Sequence, residues 1–238
     1  MLSRESKEAK MMENRIKRKE REILKATSLL LGLSLVILST HYVGLAEAWP
    51  TTRYYAGYWY GDDAYARGTS GSIYTINPSV PSNNFYCQWH SVVISYTYGY
   101  WVQLGYNKNS TTNVNKIYIE VLDSGTPARH VYWYGTPSAG STHNYLIWRN
   151  TGQSSWTCTE DSTNLRTVTP SPYMPVDLQS MSESTTDTGL SINGTHFSYL
   201  SFYTGSDWWL WDVAYADPDP CYTMTYDQYY EFHASGGA

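Results

Sequence analysis

Tyr100-Trp101-Val102-Gln103-Leu104-Gly105-Tyr106 and, further on, Lys116-Ile117-Tyr118-Ile119-Glu120-Val121-Leu122 decide how this chain is read. Side chains of a strand alternate between its two faces with a period of two. On that period Val102 and Leu104 share one face of the first stretch, and Trp101, Gln103 and Gly105 share the other. The second stretch puts Ile117, Ile119 and Val121 on one side and Tyr118 and Glu120 on the other. Each strand therefore sets one amide or carboxyl group among aromatics, opposite an aliphatic face. The pattern is that of a sheet with a packed back and a polar, aromatic front, inside a longer segment from Phe85 to Asp123.

The same reading extends in both directions. Residues 72–77, 85–96, 131–134, 143–149, 176–184, 195–203 and 208–214 carry strand patterns, and 155–159 with 165–168 predict a hairpin across 160–164. Residues 49–71 look irregular or like an edge strand, and the tail from Asp217 shows little pattern. No stretch after residue 48 sustains a 3.6-residue apolar period, so no long helix is expected. Roughly ten to twelve short strands separated by Gly, Pro and Asn turns predict an all-β fold, an antiparallel β-sandwich or jelly roll.

Residues 1–48 read differently. Nine Lys and Arg crowd the first 25 positions, an uncharged and mostly apolar run follows from Ala26, and Ala46-Glu47-Ala48 closes it. This order describes a secretory signal peptide with cleavage before Trp49. The competing reading is an uncleaved membrane anchor over residues 26–46, since about 20 apolar residues span a bilayer. Either way residues 49–238 are expected to be exported as one domain, secreted or held at the membrane only through that segment.

Nine of the 16 Lys and Arg and six of the 21 Asp and Glu lie in residues 1–48, which leaves 7 basic against 15 acidic groups, a net charge of −8. Such a surface is a poor partner for phosphate backbones, which excludes nucleic-acid binding. All ten Trp and nearly all of the 24 Tyr belong to the same part. Large rings with polar tips suit sheet surfaces and faces that hold peptide or sugar. Of these rings, Trp101 and Tyr118 are singled out, because they share a face with Gln103 and Glu120. The three cysteines, Cys87, Cys158 and Cys221, permit at most one internal bridge, with Cys158 to Cys221 one candidate. His90, His130, His143 and His196 lack the close sequence spacing of metal ligands, so no metal or other cofactor is expected. Asp62-Asp63 and Asp217-Pro218-Asp219 lack the ligand density of a calcium loop.

Gln103-Leu104-Gly105, then Tyr118-Ile119-Glu120, then Glu183 in Gln179-Ser180-Met181-Ser182-Glu183-Ser184 resemble, in order and spacing, the motifs of the secreted glutamic peptidases. That family comprises the eqolisins and their neprosin-like relatives, which are concanavalin-like sandwiches. The resemblance implies a catalytic dyad of Gln103 and Glu183, with Glu120 supporting substrate or the dyad. In the family the later Glu usually has a Trp beside it in sequence, whereas Ser and Thr surround Glu183. The implied chemistry uses Glu183 as general base and then general acid, with Gln103 donating to the oxyanion. A carboxyl group lying among aromatics would favour activity in acid. The alternative is a lectin-like module that binds carbohydrate or peptide at the cell surface without chemistry. On that reading Gln103 hydrogen-bonds across strands and Glu183 is a loop carboxylate.

Overall fold

A computed structural model describes residues 52–61, 66–95, 97–125, 129–171 and 177–237. All of them fall in the second of the two units into which the chain divides, Ala46–Ala238. The predicted signal or anchor segment, Asp62-Asp63 and the beginning of the predicted strand 176–184 lie outside the described residues. Among the described residues no helix is long and apolar enough to cross a membrane.

The described residues form fifteen β-strands and no helix. One sheet contains β1 (Tyr54–Gly61), β3 (Phe85–Ser95), β4 (Tyr100–Asn109), β5 (Lys116–Leu122), β6 (Arg129–Trp133), β10 (Asp177–Ser184) and β13 (Tyr215–Ala216). Its spatial order is β13-β1-β10-β3-β4-β5-β6, with antiparallel pairing at every contact. The other contains β2 (Gly68–Tyr74), β7 (Thr142–Trp148), β8 (Trp156–Glu160), β9 (Thr163–Val168), β11 (Thr195–Tyr203), β12 (Trp208–Leu210), β14 (Tyr222–Gln228) and β15 (Glu231–Gly236). Its order is β14-β15-β11-β2-β7-β8-β9, and β12 pairs with β11.

The two-residue period explains why the sheets stack. Val102, Leu104, Ile117, Ile119 and Val121 point inward and are buried against Ile73, Ile147, Phe197 and Phe232 of the second sheet. Removing that apolar surface from water is the main drive for closing a sandwich. His90 also points inward, packing edge-on against Phe197 with ring centroids 5.7 Å apart. Its Nδ1 lies 2.7 Å from Ser180 Oγ. Gly71 makes room for this imidazole, since a Cβ there would sit 2.8 Å from His90 Cε1.

Several expectations need correction. Several expected bounds differ by a few residues: β2 runs from Gly68 to Tyr74, β4 runs on to Asn109, β6 begins at Arg129, β9 begins at Thr163, and β12 is a three-residue strand. The irregular stretch after Trp49 contains β1, which lies inside the sheet between β10 and the two-residue β13. The tail from Asp217 contains a full hairpin, β14–β15. Its buried side chains are Tyr222, Met224, Phe232 and Ala234, too varied in size and polarity to stand out as an alternating aliphatic face. All three cysteines are free thiols, so Cys158 and Cys221 are not bridged. Cys158 is buried at the sandwich core.

Candidate functional site on the outer face of the first sheet

The register fixes which side chains share the outer face of the first sheet. Gln103 opposes Ser91 on β3 and Glu120 on β5. Gly105 opposes Trp89 and Tyr118. Glu183 opposes Cys87 on β3 and Tyr55 on β1. Paired residues of a ladder point the same way, so Gln103, Glu120, Tyr118, Trp101 and Glu183 all stand on one face. Glu183 is therefore a strand residue of β10, not a loop carboxylate. Gly105 permits the close approach of β3, because a Cβ would meet the Gln88 carbonyl oxygen at 1.9 Å and Trp89 Cα at 2.7 Å.

Although this face looks away from the core, Gln103, Glu120 and Glu183 are only 9%, 7% and 8% exposed. A second apolar layer surrounds them, formed by Phe85, Cys87, Trp89, Tyr118 and Met181 and flanked by Tyr55, Trp59 and Val131. Buried carboxylates need partners, and both have them. Arg129 Nη2 donates to Glu120 Oε2 at 2.6 Å. Arg53 Nη1 donates to Glu183 Oε1 at 2.7 Å. Trp89 Nε1 donates to Glu183 Oε2 at 3.0 Å, and the Cys87 thiol approaches the same oxygen at 3.6 Å. The guanidinium of Arg53 also lies over the Phe85 ring, 4.3 Å from its centroid. The carboxyl group expected among aromatics is there, and it is held in an ion pair with an indole donor. The tryptophan absent beside Glu183 in sequence comes from the neighbouring strand.

Gln103 and Glu183 are separated by β3 and by four residues of register. At about 3.3 Å per residue and 4.8 Å per strand, their Cα atoms are about 16 Å apart. Side chains of that length leave a gap of several ångströms, at whose two ends stand Tyr118, bonded to Gln103, and Cys87, bonded to Glu183. Gln103 Nε2 donates to the Tyr118 hydroxyl. Cys87 belongs to the same apolar layer as Tyr118, and its thiol reaches Glu183. Burial, reinforced by the negative charge of Glu183, pushes the Cys87 thiol well above its ordinary range. Burial likewise pushes Tyr118 well up, helped by Cys87 and by both glutamates. Both therefore stay protonated, the Tyr118 oxygen accepting from Gln103 and the Cys87 thiol donating to Glu183.

Trp101 lies beside Gln103 on the same strand face, opposite Val93 and Leu122, and its indole N–H is buried with no hydrogen-bond partner among the described residues. Along the face, Tyr118 packs on Trp133 with centroids 5.9 Å apart. Beyond it lies a shallow depression of about 200 Å³ lined by Asn107, Asn109, Thr112, Val114, Lys116 and Trp133. Asn107 Oδ1 is buried without a hydrogen-bond partner among the described residues.

A search of solved structures finds this arrangement of strands again. Scytalidoglutamic peptidase, bound to a peptide-based transition-state analogue, matches with a TM-score of 0.56 and 12% identity, over 77% of this chain and 98% of that one. SCP-B, a member of the eqolisin family of peptidases in complex with the tripeptide Ala-Ile-His, matches with a TM-score of 0.55 and 10% identity over the same shares. The fold is that of the glutamic peptidases. No family model matches the sequence, and no curated protein matches it either.

Arg53, Cys87, Trp89 and Arg129 were missed in the sequence. The alternation through Phe85, Cys87, Trp89 and Ser91 already placed two of them on the front face. Neither arginine had any local signal, because each meets its glutamate across strands. Two of the histidines are likewise paired by strand register. His196 opposes His233 across β11 and β15, which no spacing along one strand reveals.

Proposed function

We propose that this chain is an exported endopeptidase of the glutamic type, in which Glu183 and Gln103 act together on a peptide bond. The observation that carries the proposal is their placement on one buried face, with Tyr118 bonded to Gln103 and Cys87 bonded to Glu183, in the fold of the glutamic peptidases.

Valence supports the assignment. An ionised carboxylate offers about four acceptor positions, and Arg53, Trp89 and Cys87 occupy three on Glu183. The remaining one accepts a proton from water. A glutamine amide carries two N–H groups, of which one is given to Tyr118. The second serves an oxyanion, where one such donor is typically worth about 2.7–4 kcal/mol. In the reaction, Glu183 takes a proton as the water oxygen bonds to the carbonyl carbon, and the carbonyl electrons move onto oxygen beside Gln103. Collapse of this intermediate breaks the C–N bond, and the proton passes from Glu183 to the departing nitrogen. Glu120, held by Arg129, buttresses the Gln103 strand. Trp101 and Trp133 flank an extended substrate, and the depression beside Asn107 takes one of its side chains.

The three donors already on Glu183 also fit a second reading, a non-catalytic module in which the aromatic face holds peptide or carbohydrate. Digestion of a quenched-fluorescence peptide library at pH 3–5 separates the two. The proposal expects cleavage by the wild type and its loss in Glu183→Gln. Binding of peptides or glycans without cleavage favours the module.

A further inference from the structure

We infer that the outer face of the second sheet carries a binding site for a borderline divalent cation, Zn²⁺ or Cu²⁺, formed by His196, Glu231 and His233. The site does not rest on the proposed peptidase function, since it uses the other sheet and no residue of the Gln103 face. Glu231 and His233 are two apart on β15 and so share a face, and His196 stands directly opposite His233 on β11. Their imidazoles stack with centroids 4.0 Å apart at an interplanar angle of 10°. One ligand atom from each of the three residues falls within 4.8 Å of the others.

Each imidazole has a carboxylate at hand. His196 Nε2 lies 2.9 Å from Glu231 Oε1, and His233 Nε2 lies 3.2 Å from Asp227 Oδ2 on β14. Two imidazoles and a carboxylate form a donor set that zinc uses with a fourth ligand, each bond being about 2.0–2.2 Å. Asp227 or water supplies the fourth. Parallel rings cannot both direct a lone pair at one point, so binding requires the imidazoles to splay apart by rotation about χ2. That movement is open to them, because both side chains are partly solvent-exposed. Imidazole donors favour Zn²⁺ and Cu²⁺, whereas Ca²⁺ and Mg²⁺ prefer sets made wholly of oxygen. A bound ion would clamp the β14–β15 hairpin to β11.

A second cluster, His143 with Glu160 and Asp161, provides the internal comparison. It has a single imidazole, whose Nδ1 faces both carboxylates at 3.3 Å and 2.7 Å. It should bind Zn²⁺ more weakly.

The test is calorimetric titration of the chelator-treated full-length chain with ZnCl2 at pH 7, with CaCl2 as a parallel arm. The wild type should take up one tight equivalent of Zn²⁺ and show no comparable Ca²⁺ site. His233→Ala and His196→Ala should each weaken that site by more than the 10–100-fold usual for loss of an outer partner. Glu231→Gln should weaken it less, and His143→Ala should leave it unchanged. Thermal unfolding is the second readout. Zn²⁺ at about 100 times Kd should raise the folded-to-unfolded ratio of the wild type about 100-fold, with no such rise in His233→Gln. Absence of Zn²⁺ uptake by the wild type, equal affinity in the histidine variants, or equal uptake of Ca²⁺ would overturn the assignment.

Discussion

Replacing Arg53 by Met and Glu183 by Gln, singly and together, measures how strongly the face of the first sheet depends on that ion pair. The Arg129–Glu120 pair supplies the control. The N–O distances are nearly equal, 2.7 Å for Arg53–Glu183 and 2.6 Å for Arg129–Glu120. Coulombic attraction at a given distance grows as water is excluded, so exposure decides between them. The Arg53 side chain is 22% exposed and that of Arg129 is 50% exposed, while both glutamates stand at 10%. Exposed pairs couple by about 0.2–1 kcal/mol, and breaking a fully buried pair costs about 3–5 kcal/mol. The inner pair should therefore show a coupling energy of about 2 kcal/mol, and the outer pair about 0.5 kcal/mol. Glu183→Gln alone should be the most damaging single change, because it leaves Arg53 desolvated over Phe85 without a counter-charge. Urea unfolding at pH 7 for each cycle gives these energies. Equal couplings, or a larger one for Arg129–Glu120, would refute the premise that the Arg53–Glu183 pair is the more desolvated of the two.

Two further predictions concern titrating groups away from that pair. Burial lowers the pKa of His90 from its ordinary value of 6.5 to about 3. Its neutral form is thus favoured by folding, and stability present above pH 6.5 is lost as pH falls towards 3, by an amount of order 5 kcal/mol. Urea midpoints measured from pH 7 to pH 4 should fall, and His90→Leu should flatten the slope even if its overall stability is lower. An unchanged slope would contradict the inward placement of His90. Among the thiols, burial pushes Cys158 up to about 12 and Cys87 well above its ordinary range, whereas Cys221 is half-buried. A thiol reagent at pH 8 should label Cys221 first and reach the other two only after unfolding, and early labelling of Cys87 would overturn its burial beside Glu183.

The sandwich was legible because its central strands alternate cleanly. The β5 boundaries, Lys116 and Leu122, are read directly from that alternation, and those of β11, Thr195 and Tyr203, were legible although a bulge between Ser198 and Ser201 breaks its period. The hairpin after Trp156 was also legible, although its turn uses Asp161 and Ser162 at φ 45° and 69° without a glycine. The face shared by Gln103, Trp101, Tyr118 and Glu120 followed from the same period. What escaped was set by register between strands distant in sequence. Arg53 reaches Glu183 across 130 residues, and Trp89 and Cys87 complete its surroundings from β3. Nothing local to Glu183 announces these partners. The histidine pair was hidden in the same way, since His196 and His233 become neighbours only when β15 adds to β11. The β14–β15 hairpin went unseen because Met224 and Ala234 do the inward packing that valine and isoleucine do elsewhere.

The joint action of Gln103 and Glu183 is tested most directly by kcat/KM on one cleaved peptide for the wild type, Gln103→Ala, Glu183→Gln and the double variant. Loss of the oxyanion donor should lower the rate by about 10²–10³-fold. Loss of the base should lower it by at least about 10²-fold, and the double variant should be scarcely slower than the worse single one. Cleavage unchanged in Glu183→Gln would contradict the account.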